Sequence, residues 1–256
     1  MDDDTYNLIG SKDNHVVMDN RLISSKQMMP LNAAKIVRMA VARIAYEDNS
    51  FRTYQCSITE LAEFLQVTKS NLYHDVRWMC DVLERSCVFI STDNPHKPWE
   101  RLQWIDTAHY DGKGTLTLRL SKDVEPYLVG LRKCYTQYRL RNIVEFHSFY
   151  AIRLYEMVIH QVNLLDYNGN ETFSLTVSEL RKLLFCEEKF LRFADFRRKV
   201  LTVAVREINE KSDIYIIMSL LKKGKEYQNV IFDVHVNLNP DNKNSPVYSA
   251  GSTPFL

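Results

Sequence analysis

Glycine and proline are scarce, seven of each in 256 residues, which excludes a fibrous or low-complexity polymer. The five cysteines, Cys56, Cys80, Cys87, Cys134 and Cys186, are odd in number. No two have the close spacing of a zinc site or a redox dithiol, so free thiols in a reducing compartment are expected. No apolar run approaches the length needed to cross a bilayer. The opening stretch, MDDDTYNLIGSKDNH, is acidic and polar and lacks the apolar core of a secretion signal. A cytoplasmic location is therefore expected. Charge of one sign is missing too: Lys and Arg number 33, Asp and Glu 32, a net charge of +1. A polyanion-binding site must then arise from local segregation of charge. No Gly-rich phosphate loop with a Lys-Ser/Thr ending occurs, which argues against a nucleotide-driven motor. Carboxylates are scattered and no nucleophile has a neighbouring base. The reading is of a non-enzymatic chain without cofactor or metal.

What the chain does contain is a globular composition, 45% hydrophobic and 25% charged, enough for two ordinary domains. Residues 1–14 read as a flexible lead, and 237–256, rich in turn formers, as a disordered tail. Apolar residues at helical spacing run from Ala33 to Tyr46. In SITELAEFLQV, residues 57–67, Ser57 and Glu60 have the spacing of a capping box. A helix from Ser70 to Arg85 follows a short turn at Thr68–Lys69. The period then shifts towards two over Cys87–Ser91, Arg101–Ala108 and Thr115–Leu120, the last two flanking the hairpin turn Asp111-Gly112-Lys113-Gly114. Helix, turn, helix, hairpin is the order of a winged helix.

That order repeats. TVSELRKLLFC, residues 176–186, overlays residues 57–67 without a gap, with Thr176 on Ser57 and Glu179 on Glu60. A helix follows in FADFRRKVLTVAVREINEKSD, then strands Ile214–Leu221 and Asn229–Val236 around Lys222-Lys223-Gly224-Lys225. The duplication predicts an α+β, helix-rich fold of two tandem winged-helix domains related by pseudo-symmetry. Asp123–Val162 reads as mostly helical. The boundary is set near Tyr138, giving domains 15–138 and 139–236, closely joined because no Gly/Ser-rich linker separates them.

On a straight helix after Ala194, Phe196, Val200 and Val203 form a core stripe. Arg198, Thr202, Arg206 and Asn209 fall opposite, with Lys199 at the border and Arg197 on the flank. Arg can donate two parallel hydrogen bonds to guanine, and Thr and Asn can read other base edges. Lys189 and Arg192 precede the helix, where phosphate contacts fix its entry into a groove. Five basic residues and one acid lie between Lys189 and Lys199. Lys222, Lys223 and Lys225 make a basic wing. In the first copy Lys69, Ser70, Asn71, His74 and Arg77 form a weaker candidate face, diluted by Asp75 and Asp81. There, a scaffold for protein contacts weighs as much as a DNA reader. His74 also has the bland reading of a surface histidine. No two of the seven histidines are separated by one residue, so the paired-histidine metal site of DNA-nicking enzymes is missing.

The segment Asp195–Asp213, followed by a strand and Lys223-Gly224-Lys225, resembles the second DNA-binding domain of iteron-type plasmid replication initiators. SFYAIRLYEMVIHQ, Ser148–Gln161, is similar to their Ser-x-Tyr-x-x-Arg-x-Tyr-Glu helix, with Tyr150, Arg153, Tyr155 and Glu156 in place. Pro126–Leu140 resembles the segment before it. The likeness spans residues 15–236. It implies monomers that bind direct repeats at an origin through both domains and open it, and dimers that bind an inverted repeat and repress their own gene. It implies host partners: the DnaA initiator, the replicative helicase and chaperones. It also implies that the helix with Arg197, Arg198, Lys199 and Arg206 is the main major-groove reader. A tandem winged-helix repressor without replication activity, or a protein-interaction scaffold, would share the fold.

Overall fold

The computed structural model describes residues 5–90, 99–164 and 172–236. The chain starts with β1 (Thr5–Asn7), β2 (His15–Asp19), α1 (Asn20–Ile23) and β3 (Lys26–Met28). The first winged helix is then laid down as α2 (Leu31–Val41), β4 (Thr53–Ser57), α3 (Ile58–Leu65) and α4 (Lys69–Arg85). β5 (Cys87–Ile90) and β6 (Glu100–Gln103) precede its hairpin, β7 (Ile105–Tyr110) and β8 (Thr115–Leu120). Next come a 3-10 turn at Lys122–Tyr127, β9 (Tyr135–Arg139), α5 (Arg141–Val144) and α6 (Phe149–Leu164). The second copy continues with β10 (Thr172–Thr176), α7 (Val177–Leu183), α8 (Phe193–Phe196), a π-helical stretch Arg197–Leu201, and α9 (Thr202–Lys211). It closes with β11 (Ile214–Lys223) and β12 (Glu226–Val236).

Each copy places its strands in the same way. The first sheet has the order β1-β4-β8-β7 and the second β10-β12-β11. In both, the strand entering the helix pair is joined to the last strand of the hairpin. The repeat is therefore α2–β4–α3–α4–β7–β8 matched by α6–β10–α7–α8/α9–β11–β12. Both short helices start in a complete capping box. Ser57 Oγ accepts from the Glu60 amide at 3.1 Å and the Ser57 amide donates to Glu60 Oε2 at 3.0 Å. Thr176 and Glu179 repeat the pair at 3.1 and 2.7 Å. The hydrogen bonds from Ser57 hold the Glu60 carboxyl below its usual pKa, as expected where the charged form is the acceptor.

The first hairpin turn is rigid because Asp111 Oδ1 accepts from the amides of Lys113, Gly114 and Thr115 at 2.7–2.9 Å. Gly114 is needed there: its φ is +115°, and a Cβ would stand 2.9 Å from the Tyr73 hydroxyl oxygen.

Three expectations are corrected. Residues 5–14 are not a free lead. β1 pairs in parallel with β4, the Leu8 amide donates to the Gln55 carbonyl at 2.8 Å, and Leu8 is buried; the apolar Leu8 outweighs the polar run around it. Arg101–Ala108 is two strands, not one. Trp104, wholly buried, breaks them by bonding the backbones of Ser86 and Ser121, so β6 pairs with β5 and β7 with β8. Of Asp123–Val162 the second half is helical as expected, in α5 and α6, but the first half, up to Leu140, is largely not. Pro126 lies in the 3-10 turn, Gly130 has φ +65°, and β9 pairs antiparallel with β2. Thr136 and Tyr138 point inward at period two, which overrides the helical spacing of the leucines before them. The tail 237–256 lies outside the described residues.

α6 lies between the two winged helices: it packs on α1 and β9 on one side and on α9 on the other, and reaches α2 through Arg38 and Glu156. Every residue from Ala151 to His160 is buried, as required of a helix packed on all sides. No helix among the described residues is long and apolar enough to cross a membrane.

Candidate nucleic-acid interface

The second domain presents its site on the long helix Phe193–Lys211 and the hairpin β11–β12. Thr202 N donates to the Arg197 carbonyl, five residues back, and this inserted residue rotates the rest of the helix. The core stripe accordingly runs through Phe196, Val200, Leu201, Ala204 and Ile208. Val203 is only half-buried, which corrects the stripe expected for a straight helix. Asn209 keeps its place on the groove side of the helix with Thr202 and Arg206, but its amide is engaged by the sheet. Its side chain clamps β11, donating to the Ile216 carbonyl at 2.9 Å and accepting from the Ile216 amide at 2.7 Å.

The remaining candidates stay outside. Lys189, Arg192, Arg197, Arg198, Lys199, Thr202 and Arg206 are all exposed, as are Lys222, Lys223 and Lys225 on the wing. Arg198 rests 3.1 Å from Asp195 with its side chain 74% exposed, a surface pair readily exchanged for a phosphate or a base. Lys189 lies over Phe185, Lys199 over Phe190 and Lys222 over Tyr227. Phe193 stacks on Tyr227 with ring centroids 4.5 Å apart, which ties the start of the reading helix to the wing. Between helix and wing an open groove of about 630 Å³ is lined by Arg197, Thr202, Val205, Arg206, Asn209, Glu210, Tyr215 and Met218.

Two site residues escaped the sequence reading. Tyr215 stands on the exposed side of β11 beside the arginines, a position strand alternation could have marked. Arg181 left no such signal. Its guanidinium donates to the carbonyls of Cys186, Lys189, Phe190 and Leu191 at 2.9–3.2 Å and covers the Phe196 ring at 4.5 Å. It thereby shapes the turn that carries Lys189 and Arg192, where Phe185 and Phe190 adopt positive φ. Only the folded turn creates this cluster of carbonyls.

In the first domain Lys69, Ser70, Asn71, His74 and Arg77 are all exposed on α4. His74 Nδ1 is 2.9 Å from Asp75, and Trp78, 59% exposed, lies beside them one turn after His74. Trp78 is a further residue the sequence reading passed over. No group of three or more His, Cys, Asp or Glu that could hold a metal occurs among the described residues.

With this geometry in hand, comparison with known proteins is decisive at the level of family. The model described as "Initiator Replication protein, WH1" matches residues 15–159, and "Initiator Rep protein, WH2" matches residues 176–234. The chain belongs to the initiator replication protein family. Within that family its relatives are distant. It is 23% identical over 252 residues to the PI protein of Escherichia coli, covering 85% of this chain and 81% of that one. It is 22% identical over 227 residues to an uncharacterized 27.6 kDa protein of Escherichia coli, covering 82% and 91%. The structure of the Pi initiator protein in complex with iteron DNA superposes with a TM-score of 0.71 at 21% identity, over 90% of this chain and all of that one. Two winged helices in tandem are thus the architecture of this initiator, and its fold is shared with the Pi initiator protein.

Proposed function

We propose that this initiator binds direct repeats at a plasmid origin, reading each repeat with both winged helices and opening the adjacent duplex. The observation that carries the proposal is the reading helix itself. Arg197, Arg198, Lys199 and Arg206 stand exposed on a helix backed by a lysine wing, in a chain whose net charge is only +1. The Pi initiator, whose fold this chain shares, is bound to iteron DNA in its crystal structure. On this reading Lys189 and Arg192 grip phosphates, Arg198, Thr202 and Arg206 meet base edges, and Lys222, Lys223 and Lys225 straddle the backbone. The first domain reads the other end through Lys69, Ser70, Asn71, His74 and Arg77. The protein acts without catalysis or cofactor in the cytoplasm, as a monomer on repeats and as a dimer on an inverted repeat that represses its own gene. Its host partners are DnaA, the replicative helicase and chaperones.

Footprinting across the plasmid DNA around its gene at two salt concentrations tests the proposal. Regular protection of direct repeats is expected, weakening about 10³-fold between ~50 and ~200 mM salt if about six phosphates are neutralised. Protection of a lone inverted repeat would instead make it a repressor. No protection at either salt would make the two domains a protein scaffold.

A further inference from the structure

A buried cluster of charge fastens α6, the helix on which α9 of the second reading head packs, to the first winged helix. Arg38 comes from α2, and Arg153 and Glu156 come from α6. Arg38 donates Nε to Glu156 Oε1 at 2.9 Å and Nη2 to Oε2 at 3.1 Å, while Arg153 Nη1 reaches Oε2 at 2.7 Å. All three side chains are at most 1% exposed. Tyr138 donates its hydroxyl to Glu156 Oε1 at 2.7 Å, and Gln27 Oε1 accepts from Arg38 at 2.7 Å. Arg153 Nη2 also donates to the carbonyls of Ile23 and Ser25 at 2.7 and 2.8 Å. α6, which packs on α9 of the second winged helix, is thereby bonded to three separate elements of the first, α1, α2 and β9. Such clusters add little stability over well-packed apolar side chains, which could fill the same space. What an apolar seam lacks is direction: it can slide, whereas these bonds lie within reach in one relative pose. A second contact lies at the surface. Lys26 of β3 pairs with Glu187 in the turn before the reading helix at 2.9 Å and sits over the Phe185 ring at 4.4 Å.

We propose that Arg38, Arg153 and Glu156, helped at the surface by Lys26 and Glu187, are positioning residues that lock the two winged helices in one pose, making the spacing between the two parts of the DNA site a specificity determinant. The inference rests on the proposal that both domains read one repeat. One added base pair moves the second part of a site by about 3.4 Å and roughly a tenth of a turn. A locked protein must give up contacts on one side, whereas a loosened one follows.

The test uses the full chain and a duplex carrying the repeat found by footprinting, with one base pair inserted or removed between its two protected parts. For wild type an affinity loss of about tenfold or more is expected, the scale of one mismatched base pair. Lys26→Glu sets two acids together. Its affinity for the natural duplex should stay within a fewfold, but its penalty for altered spacing should fall to about threefold or less. The double swap Lys26→Glu with Glu187→Lys should restore the wild-type penalty, which a merely destabilised variant would not. A triple change of Arg38, Arg153 and Glu156 to Met tests the buried contact, with thermal unfolding as the folding control. If it folds, its spacing penalty should fall as well. A wild-type penalty kept in full by Lys26→Glu, or by the folded triple variant, overturns the inference. So does a wild type that binds the repeat but is indifferent to spacing, which leaves the proposed function standing. Wild type without binding to any repeat would remove that function itself.

Discussion

Replacing Lys35 by methionine should stabilise the protein, and the size of the gain can be worked from its surroundings. Lys35 lies on α2 with 3% of its surface exposed. Burial, and then the Lys211 charge across the domain seam, lower its pKa from 10.5 to about 8, outweighing the attraction of Glu207 and Glu145. Between pH 8 and 10.5 the folded chain therefore binds fewer protons than the unfolded one, and stability rises with pH through that window. Below about pH 8 the full penalty applies. At about 1.4 kcal/mol per tenfold it amounts to about 3 kcal/mol. Methionine fills a similar volume without the charge. Urea unfolding of both proteins should show Lys35→Met ahead by up to about 3 kcal/mol at pH 7. The lead should shrink above pH 8 and vanish near pH 10.5. Taking the difference at each pH removes other titrations, such as those of Cys56 and Cys80, whose buried thiols are pushed up to about 12 and about 11. A variant no more stable at pH 7, or a lead that does not change with pH, refutes the reasoning.

Four further outcomes are expected. Arg206→Ala should weaken binding to the repeat by about 1–3 kcal/mol and relax preference at one base position, measured by competition binding against substituted repeats. Asn209→Ala should lower stability by about 1–3 kcal/mol, because two buried backbone groups of Ile216 lose their partners. Its base preference, measured in the same way, should stay unchanged because the amide is already bonded to Ile216; altered preference would show that Asn209 reads a base. Arg181→Lys should weaken repeat binding while leaving the unfolding midpoint nearly unchanged. An ammonium cannot span four carbonyls as the planar guanidinium does, and wild-type affinity would show that the turn needs no clamp. A thiol reagent should modify Cys134 rapidly and the other four cysteines only on unfolding, since Cys134 alone is exposed.

Much of this architecture could be read in the sequence because it is local. A capping box needs a hydroxyl and a glutamate three positions apart, and Ser57–Glu60 and Thr176–Glu179 form it in both copies. A helix buried on one face repeats its apolar residues at a fixed period, which marks α4. A basic face concentrated on one segment is visible without coordinates, so Arg197, Arg198, Lys199 and Arg206 could be named. Even there the phase slipped where local pattern ran out. The π-helical stretch moves the core from Val203 to Ala204, and the sheet engages the Asn209 amide through Ile216.

What the sequence could not supply depends on groups far apart in the chain. Leu8 turns a polar lead into a strand only because β4 offers it an edge. Trp104 splits a strand because Ser86 and Ser121 present backbone partners on either side of it. The pairing of Arg38 with Glu156, 118 residues apart, has no periodicity to announce it. Local spacing therefore determined which segments are helices, caps and reading faces. The tertiary structure alone decided how the two heads are held together, since that rests on bonds whose partners meet only after the chain has folded.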